Sequence, residues 1–140
     1  MIKFTFDGTG VPKGTTKDDI KQREVILKYF YRLWTLEYSD KRVFNRHLQK
    51  DIYVKFLSIN ETVQKASRNY KWTIAVFRLT EILRHATLIG ETKPKPNAKQ
   101  KKFTKMLLFT YKNKEIGTVK LTVGVLKNGN NIQYCITTLE

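Results

Sequence analysis

Apolar residues recur every third or fourth position in two stretches of this chain and every second position in several others, and the two rhythms divide it into a helical first part and a β-rich last part. Ile26, Leu27, Phe30, Leu33 and Trp34 have helical spacing, so residues 18 to 38 are predicted to form one amphipathic helix. Thr16 stands where a cap belongs, with Asp18 and Asp19 suited to the positive end of the helix dipole. Trp72, Ala75, Val76, Leu79, Ile82, Leu83 and Ala86 repeat the pattern, which predicts a second long helix buried along that side.

The intervening segments are less regular. Ile2, Lys3, Phe4, Thr5 and Phe6 alternate like a short strand before Gly, Pro and Thr break the pattern, so residues 1 to 17 read as an edge strand or a tether. Residues 41 to 50, KRVFNRHLQK, suit a short helix or a turn that turns Arg42, Arg46, His47 and Lys50 outward. A short strand is expected over 52 to 57, with Asn60 capping a turn from 61 to 67. Residues 93 to 105 carry Pro94, Pro96, Asn97 and six lysines with no acid, the composition of a mobile basic loop.

Residues 103 to 111, 117 to 126 and 132 to 139 are β-rich runs, and Asn128-Gly129 is a hairpin signal, so an antiparallel meander closes the chain. In its middle strand Val119, Leu121, Val123 and Val125 share one face, while Lys120, Thr122 and Gly124 share the other. The predicted fold class is α+β: N-terminal helices packed on a C-terminal antiparallel β-meander, with the opposite sheet face wet and basic.

Length and composition then bound the reading. At 140 residues with 41% apolar content, one compact domain is expected. No run approaches the roughly 18 to 20 apolar residues of a membrane span, and IKFTFDG after Met1 is no signal peptide, so a soluble, cytoplasmic chain is expected, with delivery inside a secreted toxin left open. One cysteine, Cys135, and two histidines argue against a disulfide or a Cys-rich zinc site, and neither metal nor cofactor is expected. Charge changes the picture most: 27 Lys+Arg against 12 Asp+Glu gives +15, a surplus that favours a polyanionic partner over a solvated surface of no specific use. Nucleic acid is the first candidate; a membrane is not, because the basic residues do not line one face of an amphipathic helix.

The chain carries no Walker loop, GxGxxG, HExxH, GxSxG or CxxC. A small basic protein can still cleave RNA without metal, because the ribose 2′-hydroxyl is an internal nucleophile that needs a base, a charge clamp and a proton donor. The candidates for those roles are His85, Glu61, Lys120, Thr122, Tyr134 and Thr137. His85 equally suits the end of a helix dipole, and Glu61 the first turn of a helix. Lys120 and Thr122 project from the same strand face and pair a charge with a hydroxyl, as a phosphate site requires. Tyr111 and Tyr134 could stack on bases or pack in a core. Lys93, Lys95, Lys99, Lys101, Lys102 and Lys105, with Arg42 and Arg46, are the candidate phosphate contacts.

From about residue 52 to 138, IYVKF before SINETVQKAS, then LTEILRHATLIGE, and finally KMLLFTY, GTVKLTVGV and IQYCITTL resemble the strand, the leucine-rich helix and the closing meander of the barnase, colicin and RelE type of nuclease domain. Such domains occur in phage and mobile-element proteins and in bacterial polymorphic toxins. The resemblance implies a RelE/barnase-like sheet and metal-independent cleavage of RNA, with the active residues on the sheet and adjoining helix. Where those domains often carry a histidine, this chain has Lys65, Thr137 and Thr138. Either Lys, Tyr and Thr replace the acid–base pair, or only a binding surface remains. The expected function is therefore an RNA-directed protein of mobile-element or toxin type, leaning towards a metal-independent ribonuclease; the alternatives are a non-catalytic nucleic-acid-binding or counter-defence module, and a domain that docks on an acidic immunity or partner protein.

Overall fold

The computed structural model describes residues 6, 8–97 and 100–139. The strand expected over 2 to 6 therefore falls, apart from Phe6, outside the described residues, as does Lys99. The first helix, α1, spans Lys17–Glu37, and Thr16 caps it by accepting a hydrogen bond from the Asp19 amide at 3.1 Å. Leu27, Phe30, Tyr31 and Trp34 are buried, whereas Leu33, expected in the same stripe, is 38% exposed. Arg23 is buried on this helix and donates to the carbonyls of Pro12, Gly14 and Ser67, each at 2.7 Å, which ties residues 12–14 to α1 and to the chain just past the next helix.

Residues 41 to 50 are neither the expected short helix nor a simple turn. They build a hairpin of β1 (Arg42–Asn45) and β2 (Lys50–Tyr53), in which Val43 and Asn45 face inward and Arg42 and Phe44 outward. Buried Asn45 holds the hairpin in place: its Nδ2 donates to the carbonyls of Leu83 and Ala86 at 2.8 and 3.0 Å, and its Oδ1 accepts from the Leu48 amide at 2.7 Å. The strand expected over 52 to 57 ends early, because α2 (Phe56–Ala66) begins there, with the Ser58 hydroxyl accepting from the Lys55 amide. Asn60 is thus exposed inside a helix and caps nothing.

The second long helix is two short ones, α3 (Tyr70–Val76) and α4 (Leu79–His85). Asn69 caps α3 through its side chain, and at the far end the Phe77 and Arg78 amides bond to carbonyls three residues back, tightening the turn and ending the helix. The apolar rhythm survives the break because Ala75, Val76, Leu79, Ile82 and Leu83 all still enter one core.

Four further strands follow: β3 (Thr87–Thr92), β4 (Phe103–Asn113), β5 (Gly117–Leu126) and β6 (Asn131–Leu139). The meander is β4–β5–β6, within a six-stranded sheet of order β1-β2-β6-β5-β4-β3 whose pairings are antiparallel except β2 with β6. Gly129, at φ 89°, makes the β5–β6 turn that Asn128-Gly129 predicts. Register gives each face its residues. Leu107, Phe109 and Tyr111 stand beside Val123, Leu121 and Val119 against the helices, whereas Met106, Leu108 and Thr110 stand beside Gly124, Thr122 and Lys120 on the outer face.

The outer face is not wholly wet. Phe103, Met106, Ile132 and Tyr134 form a second small apolar cluster there, with Phe103 and Tyr134 edge-to-face at 6.2 Å. Gly124 makes this possible: a Cβ at that position would lie 2.6 Å from Phe103 ring carbons, so the ring rests on bare backbone.

Candidate anion-binding cleft

Beside that cluster the outer face carries a cleft of about 280 Å³. Its floor is laid by strand parity: Met106 and Leu108 from β4, Lys120 and Thr122 from β5. Tyr134 joins them through a bulge, because Thr122 pairs with Cys135 but Val123 pairs with Gln133, leaving Tyr134 as the extra residue of β6. Thr92, the last residue of β3, closes one side and Lys65 of α2 lines another.

The rim comes from the basic segment after β3. Phe103 onward is strand, and before it the chain folds on itself: the Lys95 amide donates to Gln100 Oε1 at 2.8 Å, the Gln100 amide to Asn97 Oδ1 at 3.0 Å, and the Phe103 amide to the Gln100 carbonyl at 3.0 Å. Gln100 is buried by this turn, and Lys93, Lys95 and Gln100 line the cleft. Four lysines, 65, 93, 95 and 120, therefore meet at one concavity whose lining has no carboxylate. Among the described residues, only Lys65 of the four has an acidic partner, buried Glu61 at 3.2 Å.

The structure brings together five of the residues singled out in the sequence: Lys93, Lys95, Lys120, Thr122 and Tyr134. Thr137 is the register partner of Lys120 on β6. Others lie elsewhere. His85 is exposed at the end of α4 and is not part of the cleft. Glu61 is in the middle of α2, not its first turn, and its contact with the cleft runs through Lys65. Lys101 and Lys102 are exposed beyond the rim, Lys102 over the Phe103 ring at 5.5 Å, and Lys105 pairs with Glu91 at 3.3 Å.

Arg42 belongs to a separate surface network with Asp40 at 3.1 Å, Asp51 at 3.7 Å and the Tyr53 hydroxyl at 3.3 Å; the Tyr53 hydrogen bond first, then the carboxylates, raise its pKa above the ordinary arginine value. Arg46 sits in the β1–β2 turn with its amide bonded to the Arg84 carbonyl at 2.9 Å, and His47 Nδ1 accepts from the Leu88 amide at 3.1 Å. Tyr111 faces the helices, where its hydroxyl donates to Glu81; burial first, and that bond second, push its phenol above the ordinary value.

Sequence reasoning missed Lys65, Thr92 and Gln100 as cleft residues. Lys65 had a signal only in the resemblance, and Gln100, flanked by lysines, carries no chemical mark of burial.

These features define an α+β protein with a lysine-rimmed cleft on the exposed side of its sheet, a concavity of positive charge. The profile of the family described as large polyvalent protein-associated domain 3 matches residues 28–134, well over half of the chain, and the chain belongs to that family. Neither a curated protein nor a solved structure matches significantly. Membership gives the chain the association with phages and mobile elements that the nuclease resemblance implied; it assigns no activity.

Proposed function

We propose that this domain is an RNA-directed module of a mobile-element protein and that it engages nucleic-acid phosphate in the lysine cleft. The observation that carries the reading is the convergence of Lys65, Lys93, Lys95 and Lys120 with the Thr122 hydroxyl at one concavity, three of those lysines lacking an acidic partner among the described residues. Lysine supplies compact charge with three donors and threonine a neutral hydrogen bond, a pairing suited to phosphate oxygens. The net charge of +15 adds long-range attraction for any polyanion.

The test is fluorescence anisotropy of labelled single-stranded RNA across a salt series. Binding should weaken steeply with salt, and Lys93→Ala and Lys120→Ala should each reduce the log–log slope by about 0.7, the value for one lost single-strand phosphate contact. Lys28→Ala, which removes equal charge from an exposed pair with Glu24 on α1, serves as the control. If it weakens binding as much as the cleft variants do, the cleft is not the site.

Cleavage is the second reading, favoured by Tyr134 and Lys65 sharing the cleft with Lys120 and by buried Glu61 bracing Lys65. In such a step the 2′-hydroxyl gives up its proton to water as its oxygen attacks the adjacent phosphorus, the bond to the 5′-oxygen breaks, and the leaving oxygen takes a proton, giving a 2′,3′-cyclic phosphate and a 5′-hydroxyl. Tyr134 would donate that proton while the lysines hold the charge. RNA incubated with the protein and EDTA should then yield cyclic-phosphate ends that Tyr134→Phe and Lys120→Ala abolish. Intact RNA that stays bound leaves the binding module alone.

A further inference from the structure

The lysines that line the cleft carry more charge than one internal phosphodiester offers. At about 280 Å³, near the lower end of the roughly 300–1,000 Å³ of small-ligand sites, the cleft has room for a phosphate and part of the group attached to it. Yet Lys93, Lys95 and Lys120 bring three ammonium groups without an acidic partner among the described residues. A single internal phosphodiester offers one negative charge and two free oxygens. A terminal phosphate carries about −1.5 to −2 at neutral pH and three acceptor oxygens.

The donors also approach from different sides. Lys93 and Lys95 come from the rim after β3, Lys120 and Thr122 rise from β5. Three oxygens fanned around one phosphorus suit that arrangement better than the two of a diester, whose remaining positions lead on to sugars. Half-buried Leu108, beside the largely buried Met106 and Tyr134, gives the cleft an apolar side against which an attached sugar or base can lie.

We propose that the cleft takes a terminal phosphate, the monoester or polyphosphate end of a nucleic-acid strand, in preference to a phosphodiester within it. This rests on the RNA-directed reading and deepens it. The same chemistry exists on free nucleotides and pyrophosphate, so the experiment separates the sources.

The full chain is titrated, at one salt concentration, into one unstructured RNA made with a 5′-hydroxyl, a 5′-monophosphate, a 5′-triphosphate or a 3′-phosphate, and competed with inorganic pyrophosphate and a nucleoside triphosphate. At least one phosphorylated end should bind about tenfold or more tightly than the 5′-hydroxyl strand, the effect of added charge-assisted hydrogen bonds. Lys93→Ala with Lys120→Ala should erase the difference, and Lys28→Ala should keep it. Equal affinity for all four strands, still salt-sensitive, overturns the terminal-phosphate site and leaves the RNA reading standing. Binding of pyrophosphate or nucleotide with no RNA bound keeps the site and overturns the RNA reading. No binding of any probe overturns both.

Discussion

The two faces of the central sheet are made by the same strands and do opposite work. On the helix side Val119, Leu121 and Val123 of β5 are fully buried in the core that the helices share, and several polar groups that enter it are hydrogen-bonded: Asn45 to two carbonyls, Trp34 to Thr80, Tyr111 to Glu81. On the outer side the alternate residues of that strand, Lys120, Thr122 and Gly124, leave a basic cleft at one end and a small apolar cluster at the other. One residue of offset thus separates the buried core from the basic cleft. Ion pairs lie mostly elsewhere on the surface, as Arg78 with Glu115 at 2.6 Å and Lys105 with Glu91, while of the four cleft lysines only Lys65 has an acidic partner among the described residues.

This contrast can be broken most severely from the helix side. Leu121→Ala should cost about 2–5 kcal/mol in urea unfolding, because the removed atoms leave a cavity among close-packed neighbours. Gly124→Val should cost less, about 1–3 kcal/mol, by pushing the Phe103 ring off the sheet, and it should weaken RNA binding as well because the rim ends at Phe103. A change in stability without a change in binding would separate the apolar cluster from the cleft.

Tyr111→Phe removes one partly buried hydrogen bond and should cost about 1 kcal/mol at neutral pH. Its wild-type signature is a pH dependence with a fixed sign. The folded phenol titrates above its unfolded value of about 10, so the unfolded chain ionises first, and the contribution is intact below pH 10 and lost as pH rises beyond it. Urea midpoints measured upward from pH 9 should fall less steeply in the variant than in the wild type. The smallest effect is expected on the outer face, where Lys120→Ala should change stability by no more than about 0.5 kcal/mol while reducing the salt slope of RNA binding. A large loss of stability there would mean that Lys120 serves the fold and not the cleft.

The parts legible in the sequence are those governed by local rules. The Thr16 cap, the span of α1, the three strands of the meander, the Asn128-Gly129 turn and the parity of β5 follow from neighbours within a few residues. The α+β class followed from them. What was misread depended on distant partners. The β1–β2 hairpin looked like a helix or turn because four-residue strands are too short to show a period, and Asn45 is fixed by carbonyls 38 and 41 residues away. The break between α3 and α4 was hidden because both halves keep the same buried side. β3 was overlooked because its side chains are mostly exposed and its pairing with β4 is made by backbone.

The sequence alone determined how much charge the molecule carries, where α1 and the closing meander lie, and that Lys120 and Thr122 share a face, since these depend on composition and on the repeat of the backbone. Only the tertiary structure decided which lysines meet. Lys65, Lys93, Lys95 and Lys120 come from a helix, the segment after β3 and a strand, and they line one cleft together with Tyr134 from the β6 bulge and Gln100 from the folded segment. Ammonium groups repel one another, so no local preference gathers them; the packing of the elements that carry them holds them together.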